Sequence, residues 1–359
     1  MSMPARTRTV AVAALLGLTA LSGCSLVGGD SSDADRADQV VLVTHESFTL
    51  PDELIASFEE ESGQELVVRA SNDAGALATK LALSADNPSG DVAFGIDNTF
   101  ASRVVDAGVF APYTAELPVS AERYALADGG DLLAPVDQSS VCLNVDTAWF
   151  AERELGAPAT FEDLTKPAYK DLTAVSSAST SSPGMAFLLA TRAAFGQRWD
   201  DYWTDLLDNG LKIVDGWTEA YYGEFTAGGE KGTRPVVLSY DSSPAFTVKD
   251  GKTTTAALLD TCFRQVEYAG VLKGAKNPEG AQELVEFLLS PLVQRELPDS
   301  MYVRPVSGEA DLPDDWAAFA PEPQKVWEVE PAEIAAKREK WLAGGVDRRR
   351  HPLTERPPG

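Results

Sequence analysis

The sequence predicts an α/β protein of two lobes, each built on a doubly wound sheet, with two hinge segments crossing between them. Three observations carry this. Apolar runs of strand length alternate with helix-period segments across residues 39–96, and the alternation resumes across residues 172–238. Two further extended segments, 141–145 (VCLNV) and 262–268 (CFRQVEY), bracket the second series as an outward and a return crossing.

In the first series, residues 39–44 (QVVLVT) read as a buried strand. Residues 51–62 read as a helix, with Pro51 at its start, Leu54, Ile55 and Phe58 on one face, and Gly63 at its end. Strand 65–70, helix 76–83 with Leu77 and Leu81 one turn apart, a turn at Asn87-Pro88-Ser89-Gly90 and strand 91–96 follow. The second series reads as strand 172–175, helices 184–192 and 200–207, strand 211–214, helix 218–225 and strand 235–238. After the return crossing come helices near 278–289, 291–297 and 331–342. Two crossings make the first lobe discontinuous, 40–140 with 265–330, and leave 141–264 to the second. Segment 331–343 is a terminal helix of unassigned lobe, and 344–359 reads as a disordered tail. Two α/β lobes on a double hinge suit closure around a ligand.

The N-terminus is an address. Arg6 and Arg8 precede an apolar run, residues 10–21, that is too short to span a bilayer and reads as the core of a signal peptide, 1–23. It ends in Leu21-Ser22-Gly23-Cys24, which resembles a bacterial lipobox, so Cys24 is the expected lipidation site and the lipid the only expected membrane attachment. Residues 24–39, rich in Gly, Ser, Asp and Ala, read as a flexible tether. Loss of residues 1–23 removes two arginines and no acid, leaving 28 basic against 55 acidic residues and a net charge of −27. That charge excludes nucleic acid as an expected partner and favours a cationic ligand. Cys142 and Cys262 remain in an exported chain, where they read either as a disulfide or as two buried thiols. With only His45 and His351 in the chain, no metal site is expected, nor any cofactor. A monomer is expected.

In open α/β sheets, ligands bind beyond the carboxyl ends of the strands. Those ends carry His45-Glu46-Ser47, Ser71-Asn72-Asp73 and Asp97-Asn98 in the first lobe. In the second they carry residues 176–182, Asp215-Gly216-Trp217 and residues 239–243. Ser181-Ser182-Pro183-Gly184 opens an apolar helix, so its N–H groups suit a phosphate or hydroxyl, or else form an ordinary serine cap. Trp217 and Tyr221, four apart, share a helix face and read either as core or, at a helix start beyond a strand end, as cleft-facing rings; an aromatic cleft in an acidic protein suits a flat cationic heterocycle.

These residues carry a family likeness. Gly95-Ile96-Asp97-Asn98, residues 179–184 (STSSPG), residues 216–221 (GWTEAY) and residues 238–245 (LSYDSSPA) resemble the thiamine-binding proteins of bacterial ABC importers, over nearly all of residues 40–342. The resemblance implies a type II periplasmic-binding-protein fold, thiamine or its mono- or diphosphate as ligand, ABC permease subunits as partners and no enzymatic activity. It implies ring contacts from Trp217 and Tyr240, with Ser181, Ser243, Tyr221 and Asp73 beside them. His45-Glu46-Ser47-Phe48 stands where the family tends to have Tyr-Asp-Ser-Phe, Phe246 replaces a tyrosine, and Tyr302 replaces a tryptophan. Those substitutions place His45, Phe246 and Tyr302, with Asp97, among the candidate contacts. A ferric-ion or polyamine carrier of the same fold is the alternative, and an exported hydrolase using His45 a remote one.

Overall fold

A computed structural model of the chain describes residues 38–308 and 310–345. The signal peptide, Cys24, the tether as far as residue 37, and the tail from residue 346 with His351 lie outside the described residues. The described strands are β1 (Gln39–His45), β2 (Glu65–Ser71), β3 (Val92–Asp97), β4 (Ala134–Asp146), β5 (Thr173–Ser176), β6 (Lys212–Val214), β7 (Val236–Tyr240), β8 (Thr255–Ala257), β9 (Phe263–Val271) and β10 (Arg304–Pro305). They form one sheet in the order β2-β1-β3-β9-β4-β7-β5-β6, with β8 and β10 pairing β4.

The parallel wings β2-β1-β3 and β7-β5-β6 are the two α/β series. Antiparallel β9 and β4 join them, so the two expected sheets are continuous through the crossings. The outward crossing is far longer than residues 141–145. β4 pairs β9 from Ala134 to Val141, then changes partner and pairs β7 from Val141 to Val145. Its first half escapes the sequence pattern because Asp137, Gln138, Ser139 and Ser140 interrupt the apolar run although all are buried. Cys142 and Cys262 form a disulfide one residue beyond the Val141–Phe263 pair, with Cα atoms 4.2 Å apart.

Burial on both faces explains the apolar runs of β1 and β3. In β1, Val40 and Leu42 enter one core with Phe58, Phe94 and Leu284, while Val43 enters another with Leu77 and Ile96. The helix Asp52–Ser62 ends at Gly63, whose φ of 72° is the left-handed cap, and packs Phe58 on Phe287 with ring centroids 5.4 Å apart. Gly95 has φ 88°, and an added Cβ there would strike the His45 ring. This glycine therefore sets both the backbone of β3 and the seat of His45.

The segment expected as helix 218–225 is instead a π-helical turn, Glu219–Glu224. A glycine loop lies against it: a Cβ at Gly228 would meet the Tyr221 carbonyl oxygen, and one at Gly232 that of Phe225. The terminal helix Pro331–Gly345 touches both lobes. Arg338 donates to the Thr99 carbonyl and lies over Phe100 at 5.0 Å, while Trp341 and Trp199 share Arg192, at 6.0 and 5.8 Å. Among the described residues no helix is long and apolar enough to cross a membrane.

Candidate ligand-binding cleft

The carboxyl ends of β1, β5, β6 and β7 and the loop after β2 converge on a cavity of about 370 Å³ between the lobes. That volume lies in the range usual for small-molecule sites.

One wall is aromatic. Trp217, Tyr221, Tyr222, Tyr240, Phe246 and Tyr302 all line the cavity. The Trp217 ring stacks on Tyr221, centroids 5.2 Å apart and planes 20° off parallel, and stands 6.2 Å from Tyr240. Tyr221 lies within the π-helical turn, and π-type turns recur at functional sites. Trp217 Nε1 donates to Ser239 Oγ at 2.9 Å, and Ser239 shares a 2.7 Å hydrogen bond with Ser243 Oγ, which also accepts the Tyr240 N–H at 3.1 Å. Ser243 therefore reaches the cavity while bracing the Trp217–Tyr240 pair. Phe246, 44% exposed, meets Tyr302 edge to face at 4.9 Å. Tyr302 has φ 55°, a conformation costly for a bulky residue, and its carbonyl accepts from Ser242 Oγ at 2.6 Å. The wall is thus closed by a strained residue held from the second lobe.

Asp73 fastens the lobes together. It caps the helix Ala74–Leu83, accepting the Ala74 N–H at 2.7 Å, and it also accepts the N–H groups of Ser182 at 3.2 Å and Trp217 at 2.8 Å. The Ala76 N–H reaches the Thr180 carbonyl at 2.9 Å beside it. Burial raises the Asp73 pKa, opposed by the Trp217 N–H. Ser181 does not reach the cavity: it is fully buried, and its hydroxyl donates to Ser176 Oγ at 2.8 Å. Ser182 and Pro183 line the cavity in its place. Asp97 is also behind the wall. It starts the helix Ala101–Asp106, accepting from the Thr99 N–H, the Thr99 hydroxyl and the Phe100 N–H at 3.1, 2.8 and 3.2 Å, and burial pushes its pKa up to about 6.

The floor is acidic. His45 Nδ1 accepts the Ser47 N–H at 3.2 Å, so Nε2 carries the proton toward Glu267 Oε1 at 3.4 Å. Burial opposes the imidazolium, but the Glu267 carboxylate outweighs it and the His45 pKa is raised. Glu46, Asp73 and Glu267 line the cavity against that single histidine, with no lysine or arginine among the lining residues. Gln265 and Glu267 are among the lining residues that the sequence did not single out. Their signal was present: two polar residues two apart on a crossing strand project to one face.

A family of bacterial extracellular solute-binding proteins matches residues 87–326. A thiamine-binding periplasmic protein of Escherichia coli strain K12 is 27% identical over 292 residues, which cover 80% of this chain and 85% of that one. One from Brucella melitensis biotype 1 is 28% identical over 320 residues, covering 86% and 91%. Among solved structures, a periplasmic thiamin binding protein superimposes with a TM-score of 0.75 at 26% identity, covering 86% of this chain and 95% of that one. With matched residues on both sides of the cleft and over more than half the sequence, the chain belongs to the bacterial extracellular solute-binding proteins and has the two-lobed type II fold of periplasmic binding proteins.

Proposed function

We propose that the protein captures thiamine between its lobes and delivers it to the permease of an ABC importer. The observation that carries this reading is an aromatic wall set over an acidic floor that has no lysine or arginine. Thiamine offers a flat pyrimidine and a permanently cationic thiazolium, which such a cleft attracts by stacking, cation–π contact and charge. Relatives that align over most of the chain and are described as thiamine-binding support the choice. Trp217, Tyr240 and Tyr221 form the ring contacts. Phe246 and Tyr302 close the far side, and Ser182, Ser243 and His45 supply polar ones.

Free thiamine is preferred to its mono- and diphosphate. A phosphate would need the helix N-terminus at Ser182, and the Asp73 carboxylate already accepts that N–H. The protein acts as a monomeric carrier without catalysis: His45 meets a backbone N–H and a carboxylate rather than a serine hydroxyl. The Cys24 lipid holds it at the outer face of the cell membrane. Lobe 1 comprises 40–140 with 265–330, and lobe 2 residues 141–264.

Calorimetric titration of the chain from Ser25 onward with thiamine, its two phosphates, spermidine and ferric citrate tests the reading. One-to-one binding of thiamine, weakening with each phosphate, is expected. Heat from spermidine or iron alone would overturn it. The Asp73→Asn variant should bind thiamine about tenfold more weakly, because one oxygen that accepts an interlobe N–H is lost. Its ligand-free form should also show a larger radius of gyration in small-angle scattering. Unchanged affinity and scattering together would rule out Asp73 as the fastening between lobes.

A further inference from the structure

We propose that Glu267 is the counter-ion for the cationic ring of the ligand, and that a proton held by Asp137 beside it leaves to solvent when that cation binds. This rests on the thiamine reading and deepens it. Glu267 on β9 is paired directly with Asp97 on β3 and with Asp137 on β4. Directly paired residues project to the same face of a sheet, so the three carboxyl groups form a row across three central strands. Their exposures are 0%, 6% and 1% for Asp97, Glu267 and Asp137, and only Glu267 lines the cavity.

Three buried acids in a row need compensating charge or protons. Facing them are His45 from the end of β1, Asp73 from the helix cap, Tyr240 from β7 and Arg338 from the terminal helix, with Glu46 farther out. Arg338 stands toward Asp97, and His45 lies 3.4 Å from Glu267. Asp137 is left facing Glu267 in register, with its buried Oδ2 lacking a hydrogen-bond partner among the described residues. Two buried carboxyl groups side by side do not both ionise readily, so the one without a partner keeps its proton. Burial first, and the Glu267 charge second, raise the Asp137 pKa well above the carboxylate range.

The thiazolium nitrogen is quaternary and has no N–H to donate, so a carboxylate can recognise it by charge alone. A permanent cation over Glu267 stabilises the ionised form of both carboxyl groups and releases the Asp137 proton. An uncharged ring of the same shape would gain neither effect. The carboxyl row is therefore a charge filter beneath an aromatic wall that accepts any flat ring.

The test compares thiamine with its thiophene analogue, in which carbon replaces the charged ring nitrogen, by calorimetry in buffers of different ionisation enthalpy. Wild-type protein should bind thiamine more tightly than the analogue and release a proton only with thiamine. Glu267→Gln, checked for folding by its thermal midpoint, should lose about tenfold or more in thiamine affinity, retain its affinity for the analogue, and release no proton. Should that variant fail to fold, the two-ligand proton count on the wild-type protein decides by itself. Equal affinity for both ligands, or thiamine binding without proton release, would overturn the proposal and leave the thiamine reading standing. No binding of thiamine at all would remove both.

Discussion

Trp217→Ala is expected to weaken thiamine binding by about tenfold to a hundredfold, on the scale of about 1 to 3 kcal/mol for a stacked ring. The loss has two sources. The ring offers a face to the cavity, and it also keeps Tyr221 parallel at 5.2 Å and engages Ser239, which braces Ser243 and the Tyr240 backbone. Removing it deletes one wall and loosens the next. Trp217→Phe separates the contributions in part, because it keeps a smaller aromatic face and loses the N–H donated to Ser239. Titration calorimetry on both variants checks this: an alanine variant that binds as the wild type does would exclude Trp217 from the site, whereas a phenylalanine variant close to wild type would assign the effect to stacking.

Replacing both Cys142 and Cys262 by alanine should lower unfolding free energy by about 2 to 5 kcal/mol, since the bridge closes a long loop in the unfolded chain. The two cysteines are 120 residues apart, and the loop holds β5, β6, β7 and β8. Both side chains are fully buried, so alanine introduces no unpaired polar group. Urea unfolding of the wild type with and without reductant, set against the double variant, measures it. Coincident midpoints for all three would mean that the bridge contributes nothing to stability.

Much of the fold was legible because its elements state their own boundaries. The helix Pro278–Leu289 has Pro278 at its first position, an Asn277 cap and an apolar face of Ala281, Leu284, Val285 and Leu288, and the sequence reading finds it at the same limits. The parallel strands are short apolar runs between turns, and they too read clearly. The first half of β4 was not legible, since a buried strand containing Asp137, Gln138, Ser139 and Ser140 makes sense only beside the neighbours that satisfy it. The site divides in the same way. Trp217, Tyr240 and Asp73 announce themselves by following strands or opening a helix. Glu267 does not, because its importance comes from paired strands distant in sequence, and the strained φ of Tyr302 has no local signature.

The change of partner along β4 bears on how damage spreads. Because one strand belongs to both wings, fraying that began at the edge strand β6 and ran inward through β5 and β7 would reach β4 and could continue along it into β9. Cys142 and Cys262 are riveted at that fork, one residue past the last β4–β9 pair. Hydrogen exchange should therefore divide the sheet into two cooperative units at residue 142, with the amides of β5–β7 free to open while those of β4 before Val141 and of β9 stay protected. A carrier built this way can lose the order of one half, in a hostile extracellular setting, and rebuild it against an intact template.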